Sequence, residues 1–526
     1  MFRSLVLLAV LAVAWAEIDP LEKCDRKVDL AIVGAGPSGA YFGYMMRKAG
    51  LNVEIIEYTD RVGGRHKTER LPGLENVPID LGPIMYSDLH QRMKTIIQEL
   101  ELTEEHFPSG WTVPEETRYV LKGQSFTEKE IQDGAPLPYQ LTKEEKDNQG
   151  RLARYYLEKL TSYTGSDMPP NIRMHLRVQL QDSRGLQYKH LYQYNLSEAL
   201  DLVASKDGKE LFMALSKRKG AVYKDVNAVL AFSNHFNYDS NNATRKRIQQ
   251  GMEALPRTLM KKFLDESSKH KLSLNRKLDA IAGRELFDYI MRLKQTETKD
   301  GRTYEIGPEE FVCASKIVLA LPASSLKIIQ WEPLKSSLVS EALDSVRSVP
   351  VSTVVMTFSQ RHWQDNPNKK ASVLFTDESI SQVVELGQSP DSRAYVLQAS
   401  FAEGDRVRDL ETLNLYKSAG SSQLGENQVS QELSDHIITK LSSVFGTQFS
   451  KPLSSMGVFW TKYPQSGGQT VWKANRHYDL VKSIIEHPSI EDDVYVVGSD
   501  FAWGNLQFWT EGSLETVENV LFKYFV

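Results

Sequence analysis

Gly34, Gly36 and Gly39 stand in the spacing G-x-G-x-x-G inside "DLAIVGAGPSGAYFGYMMRKAGLNVEIIEYTDRVGGRHKT", residues 29–68. Glycines at that spacing suit a main chain that must close around a negatively charged diester. Gly34 permits the tight turn, Gly36 lets backbone approach a pyrophosphate, and Gly39 lets the next helix pack on the preceding strand. Glu57 ends the following strand, where a carboxylate can accept hydrogen bonds from ribose hydroxyls. A second glycine pair comes at once, in Arg61-Val62-Gly63-Gly64-Arg65. By itself this segment reads equally as a basic surface turn. After a βαβ unit, it suits a chain that doubles back over the pyrophosphate, with Arg65 as a bidentate fork for phosphate charge. A nicotinamide dehydrogenase has no need of that second pair, so the combination points to FAD.

The elements that must position these residues follow from periodicity. Residues 30–33 form a short apolar run that predicts a buried parallel strand, 40–49 a helix with Gly50 as its C-cap, and 53–56 a second strand. An amphipathic helix is expected over 89–100. Strand patterns return at 270–281 ("HKLSLNRKLDAI"), at 315–321 ("SKIVLAL") and at 494–498. The expected fold is α/β. Its Rossmann-like FAD-binding domain is discontinuous, built from 17–104, 248–330 and 481–526. A largely helical insertion over 105–247 borders substrate access, and a mixed α+β substrate domain spans 331–480.

At 526 residues, 41% of them hydrophobic, the chain can bury two or three cores. A formal charge of -5 argues against nucleic acid as a partner. Met1-Phe2-Arg3, the apolar run 5–13 and Ala14-Trp15-Ala16 match a signal peptide over 1–16, so a secreted, extracellular protein is expected. No apolar segment is long enough to span a bilayer. The two cysteines, Cys24 and Cys313, suggest one disulfide in a secreted chain, with two buried thiols as the alternative. Asn195 and Asn242 lie in glycosylation triplets. No metal site is read, and a homo-oligomer stays open.

The ordered set "EIDPLEKCDRKVDLAIVGAGPSG", "EYTDRVGGR", "GMEALPRTL", "KLSLNRKL", "CASKIVLALP" and "VYVVGSDFAWGNLQFWTEGSLETVENV" resembles the FAD amine-oxidase superfamily. Within it, the chain is similar to the secreted L-amino acid oxidases of the achacin and aplysianin A type over nearly all its mature length. The resemblance implies oxidation of an amino acid or amine by O2, with hydrogen peroxide as an antimicrobial product. It also implies roles for residues. Gly34, Gly36, Gly39, Gly64 and Arg65 would meet the pyrophosphate, Glu57 the ribose and the Leu278 backbone the adenine. Gly498 would end the last strand, and Trp509, Glu511, Gly512 and Ser513 would form the loop facing the flavin. Taken alone, Trp509 reads as a core aromatic.

Two positions depart from the family pattern. Related oxidases carry an arginine for the substrate carboxylate where this chain has Met85, in Gly82-Pro83-Ile84-Met85. They carry a lysine near flavin N5 where it has Thr353, in Pro350-Val351-Ser352-Thr353. Methionine cannot make a bidentate pair with a carboxylate. The sequence therefore predicts an intact FAD framework joined to an amino-acid site that is damaged or retargeted. Three functions compete: an active L-amino acid oxidase, a flavoprotein with a structural, carrier or recognition role, and an oxidase of amines lacking a carboxylate.

Overall fold

The apolar runs near residues 30 and 317 meet at the centre of one sheet. The computed structural model describes residues 24–71, 74–107, 111, 113–163, 178–182, 184–217, 226–237, 244–285, 288–299, 302–389, 393–415, 427–461, 467–507 and 509–525. The expected leader over 1–16 and the Asn242 acceptor lie outside them.

Seven strands build the first sheet: β1 (Arg26–Val33), β2 (Val53–Ile56), β3 (His270–Ser273), β4 (Arg276–Glu285), β5 (Asp288–Lys299), β6 (Arg302–Leu319) and β7 (Val494–Val496). β3, β2, β1 and β6 lie side by side in parallel, and β7 joins the end of β6 in parallel. The first part of β6 instead pairs antiparallel with β5, which pairs antiparallel with β4. Every residue of β2 is buried, as befits a strand covered on both faces. The covering helices include α1 (Pro37–Met46), α2 (Ala254–Glu266) and α3 (Thr510–Tyr524). Their apolar sides form one core with Leu30, Ile32 and Val318. This is the discontinuous Rossmann-like domain, drawn from three separate stretches of chain.

Several boundaries differ from the sequence expectation. Residues 270–281 are two strands rather than one, because Asn275 takes a left-handed φ of 56° between β3 and β4. Asparagine tolerates that conformation, so no glycine marks the turn. The run at 315–321 is the tail of the much longer β6, whose polar first half hides its strand character. The helix expected over 89–100 spans Gln91–Glu99.

The second sheet follows the order Ser454–Phe459, Val351–Phe358, Tyr395–Glu403, Gln382–Gln388, Val373–Thr376, Thr117–Leu121, Gln124–Thr127. Its last two strands come from the stretch read as a helical insertion. Thr117–Leu121 is wholly buried and runs parallel to Val373–Thr376, so two strands from 105–247 share a sheet with strands from 331–480. Five buried residues are too short a signal to stand out among helix formers. A three-stranded sheet places Arg245–Ile248 between Tyr86–Ser87 and Glu104–His106.

Cys24 and Cys313 form a disulfide with their Cα atoms 5.8 Å apart. Cys313 sits inside β6 opposite Lys27 of β1, so the bond ties the start of the described chain to the central strand. Asn195 caps the helix Leu196–Asp201, its side chain accepting from the Glu198 N–H. Among the described residues no helix is long and apolar enough to cross a membrane.

Candidate active site

One cavity of about 330 Å³ runs from the glycine turn after β1 to the inner face of the second sheet. At its first end, shape is set by missing side chains. Gly34 has φ +107°, and a Cβ there would lie 2.4 Å from the Ala320 carbonyl oxygen. A Cβ on Gly39 would lie 1.8 Å from the Gly34 oxygen, which is how closely α1 packs on its own turn. Gly36 is different, since its nearest neighbour would be the Gly64 Cα at 3.8 Å. Gly64, with φ +56°, faces it across the cavity wall. The two glycine turns thus leave a bare cradle at the N-terminus of α1. Gly36 is the N-cap there and offers no side-chain acceptor to the first-turn N–H groups. Such N–H groups and the helix dipole favour an anion.

Glu57 borders the cradle and is buried. Its carboxylate accepts from the Ala35 N–H at 2.8 Å and from the Thr59 N–H and hydroxyl at 2.9 Å. Leu278, Gly498, Trp509 and Ser513 line the same cavity.

Arg65 borders it too, but its fork is engaged by protein oxygens. It donates to the Gly468 carbonyl, to Ser499 and to Asp500, the last at 2.9 Å. Asp500 also accepts from the Ala323 N–H. Arg65 therefore clamps the loop after β7 onto the second glycine turn. Glu511 and Gly512 do not border the cavity. Glu511 accepts from the Arg92 and Met93 N–H groups and so caps the helix Gln91–Glu99; its burial pushes its pKa up. A Cβ on Gly512 would lie 2.3 Å from the Leu506 oxygen, a packing contact.

At the far end, side chains set the chemistry. Met85, just ahead of the strand Tyr86–Ser87, and Thr353, on the strand Val351–Phe358, both border the cavity. Thr353 is 1% exposed, and its Oγ1 meets no hydrogen-bond partner among the described residues. The Gln398 Oε1 is likewise buried and unmet there. Glu403, Trp460 and Arg245 complete this end. His66 lies between the two ends, its Nε2 3.0 Å from the Thr510 hydroxyl at the start of α3. Burial, assisted by Arg65 and Arg61, lowers its pKa to about 3, so the ring is neutral. Sequence reading missed His66, Arg245, Gln398 and Glu403. The first lies beside a motif that drew attention to glycines, and the others sit on two strands far apart in the chain, Arg245–Ile248 and Tyr395–Glu403.

The family model for flavin-containing amine oxidoreductases matches residues 43–518. The chain belongs to that family. It is 37% identical over 513 residues to Aplysianin-A of Aplysia kurodai, covering 96% of this chain and 91% of that one. It is 36% identical over 514 residues to Achacin of Lissachatina fulica, covering 96% and 94%. An L-amino-acid oxidase of Sistrurus catenatus edwardsii is 23% identical over 391 residues, covering 69% and 68%. The cyclohexylamine oxidase of Brevibacterium oxydans shares the fold at a TM-score of 0.67 and 16% identity, covering 95% of this chain and 100% of that one. FAD is the cofactor. The cradle that a Cβ would fill, the N-terminus of α1 and the tethered Glu57 carboxylate all fit its pyrophosphate and ribose.

Proposed function

We propose that this protein is a secreted FAD-dependent L-amino acid oxidase. It converts an L-amino acid, O2 and water to a 2-oxo acid, ammonia and hydrogen peroxide, and the peroxide serves defence. The observation that carries the reading is a single cavity joining the dinucleotide cradle to a buried end with both charged and uncharged polar groups. Two relatives above 30% identity over 96% of the chain support a conserved reaction type, and the more distant snake relative carries the name L-amino-acid oxidase.

FAD held in this cradle would supply the acceptor for a hydride from the substrate Cα and the two electrons that reduce O2. The chain's own residues hold and shield. Gly34, Gly36, Gly64, Glu57 and Leu278 border the cavity; the three glycines would present backbone to the pyrophosphate, Glu57 would meet the ribose and Leu278 would lie at the adenine. The start of α3, beginning after Trp509, faces the cavity with Thr510 and Ser513. His66 stays uncharged beside it and so adds no cation that would compete for the substrate. The Thr353 hydroxyl, buried and unmet among the described residues, stands where the family places a lysine and offers its hydrogen bond to the cavity. No protein base is required if the substrate amine enters neutral. Secretion is supported by the Cys24–Cys313 bond, since disulfides persist in oxidising compartments.

Met85 favours a second reading, oxidation of an amine without a carboxylate. The test is the flavin spectrum of purified protein under anaerobic conditions, with L-amino acids in one panel and the matching decarboxylated amines in another. Bleaching by the amino acids supports the first reading, and bleaching by the amines alone supports the second.

A further inference from the structure

We infer that Arg245, and not the position held by Met85, captures the substrate carboxylate, an assignment that rests on the amino-acid oxidase reading above. Arg245 lies opposite Ser87 in the small antiparallel sheet, and Lys246 lies opposite Tyr86. The arginine thus enters from the strand beside Met85, two positions along. It is 3% exposed and borders the cavity together with Met85, Thr353 and Trp509. Its guanidinium carbon stands 5.8 Å from the Trp509 ring centroid, at the start of α3.

The basic run Arg245-Lys246-Arg247 is divided in its use. Lys246 pairs with Glu104 at 3.2 Å and Arg247 pairs with Glu105, both carboxylates being on the next strand. Those two residues fasten the sheet, and Arg245 borders the cavity. Lys217, a second cation at this end, is held by Glu128 at 3.2 Å. A planar guanidinium gives a carboxylate two parallel hydrogen bonds that an ammonium cannot match. Met85 then becomes apolar wall beside the relocated charge. Glu403 borders the same cavity with the opposite sign, so the site suits a zwitterion better than a simple alkylamine. The loss of arginine at position 85 is accordingly a relocation to the neighbouring strand.

The test uses FAD-bound protein and 4-methylpentanoate, which carries the carboxylate and side chain of leucine but no amine to oxidise. Its binding is read from the flavin difference spectrum, with 4-methylpentanamide as the uncharged control. In R245M, carboxylate affinity should fall about 100-fold or more, as for a buried charge pair, while amide affinity stays within about twofold. KM for L-leucine should rise by a similar factor with a smaller change in kcat, the signature of lost ground-state binding. R245K, which keeps charge but not the fork, should fall between, and it decides the matter if R245M does not hold flavin. Unchanged carboxylate-over-amide selectivity in either flavin-bound variant overturns the assignment. If the wild type neither binds 4-methylpentanoate nor is reduced by L-leucine but is reduced by 3-methylbutylamine, the amino-acid reading fails, and this assignment with it.

Discussion

The two ends of the cavity are built on different principles. At the glycine end, position is fixed by backbone that approaches to contact: Gly39 against the Gly34 carbonyl, Gly64 against Gly36. At the other end, position is fixed by side chains on three separate strands, Met85 excepted: Thr353, Gln398 and Arg245. A backbone cradle tolerates little substitution, because a Cβ at Gly34 or Gly39 collides with main chain that cannot move aside, and one at Gly36 would stand in the cavity itself. A side-chain pocket can lose an arginine at one position and regain the charge from an adjacent strand. The first end therefore keeps one ligand, while the second can change its means of recognition without disturbing the fold.

The sharpest way to break this contrast is within the glycine turn itself. Gly39→Val should give no folded protein, since its Cβ would overlap the Gly34 carbonyl and overpacking against backbone costs more than the usual ~1–3 kcal/mol. Gly36→Val should fold, because its Cβ meets nothing nearer than 3.8 Å, yet it should purify without flavin. The flavin-to-protein absorbance ratio and the apoprotein melting curve separate the two outcomes. Equal behaviour of the two variants would mean that Gly36 is structural and borders no ligand.

Removing the disulfide with Cys24→Ser and Cys313→Ser should cost up to about 5 kcal/mol, the chain-entropy value for so long a loop. Denaturant unfolding of oxidised and variant protein measures it, and flavin content should not change, since neither cysteine borders the cavity.

His66 gives a pH-dependent effect. Its folded pKa is lowered to about 3 from 6.5, so only the unfolded chain takes up a proton between those values. Its contribution is fully present above pH 6.5 and is lost as pH falls toward 3, at no more than about 1.4 kcal/mol per unit. His66→Gln should flatten that part of the stability profile relative to wild type. Parallel profiles of the two proteins would show that the ring is not buried neutral.

The smallest effect belongs to Glu511→Gln. The amide keeps one acceptor for the Arg92 and Met93 N–H groups and loses the charge, so about 1 kcal/mol of stability should go, with flavin retained. A colourless variant would return Glu511 to the cofactor's surroundings.

The same contrast explains what was legible beforehand. Gly34, Gly36, Gly39 and Glu57 could be read because a backbone cradle is local and its spacing is written in one short stretch. The two cysteines could be paired because only two occur. Arg65 was assigned to phosphate because nothing local betrays Asp500, which lies on the far side of the chain. Arg245 was passed over inside a stretch read as a largely helical insertion, and only the strand register places it opposite Ser87, two positions from Met85. Asn275 hid a strand break because the left-handed turn uses asparagine, not glycine. Local contacts leave a mark on sequence, whereas a side chain's neighbours across strands do not.

The most direct test of the account is anaerobic mixing of the purified, unmodified protein with L-leucine, followed by admission of air. The account predicts a flavin-bearing protein whose oxidised band bleaches on mixing and returns in air with one hydrogen peroxide formed per turnover. A flavin that stays oxidised with L-leucine and with every other common L-amino acid would contradict it.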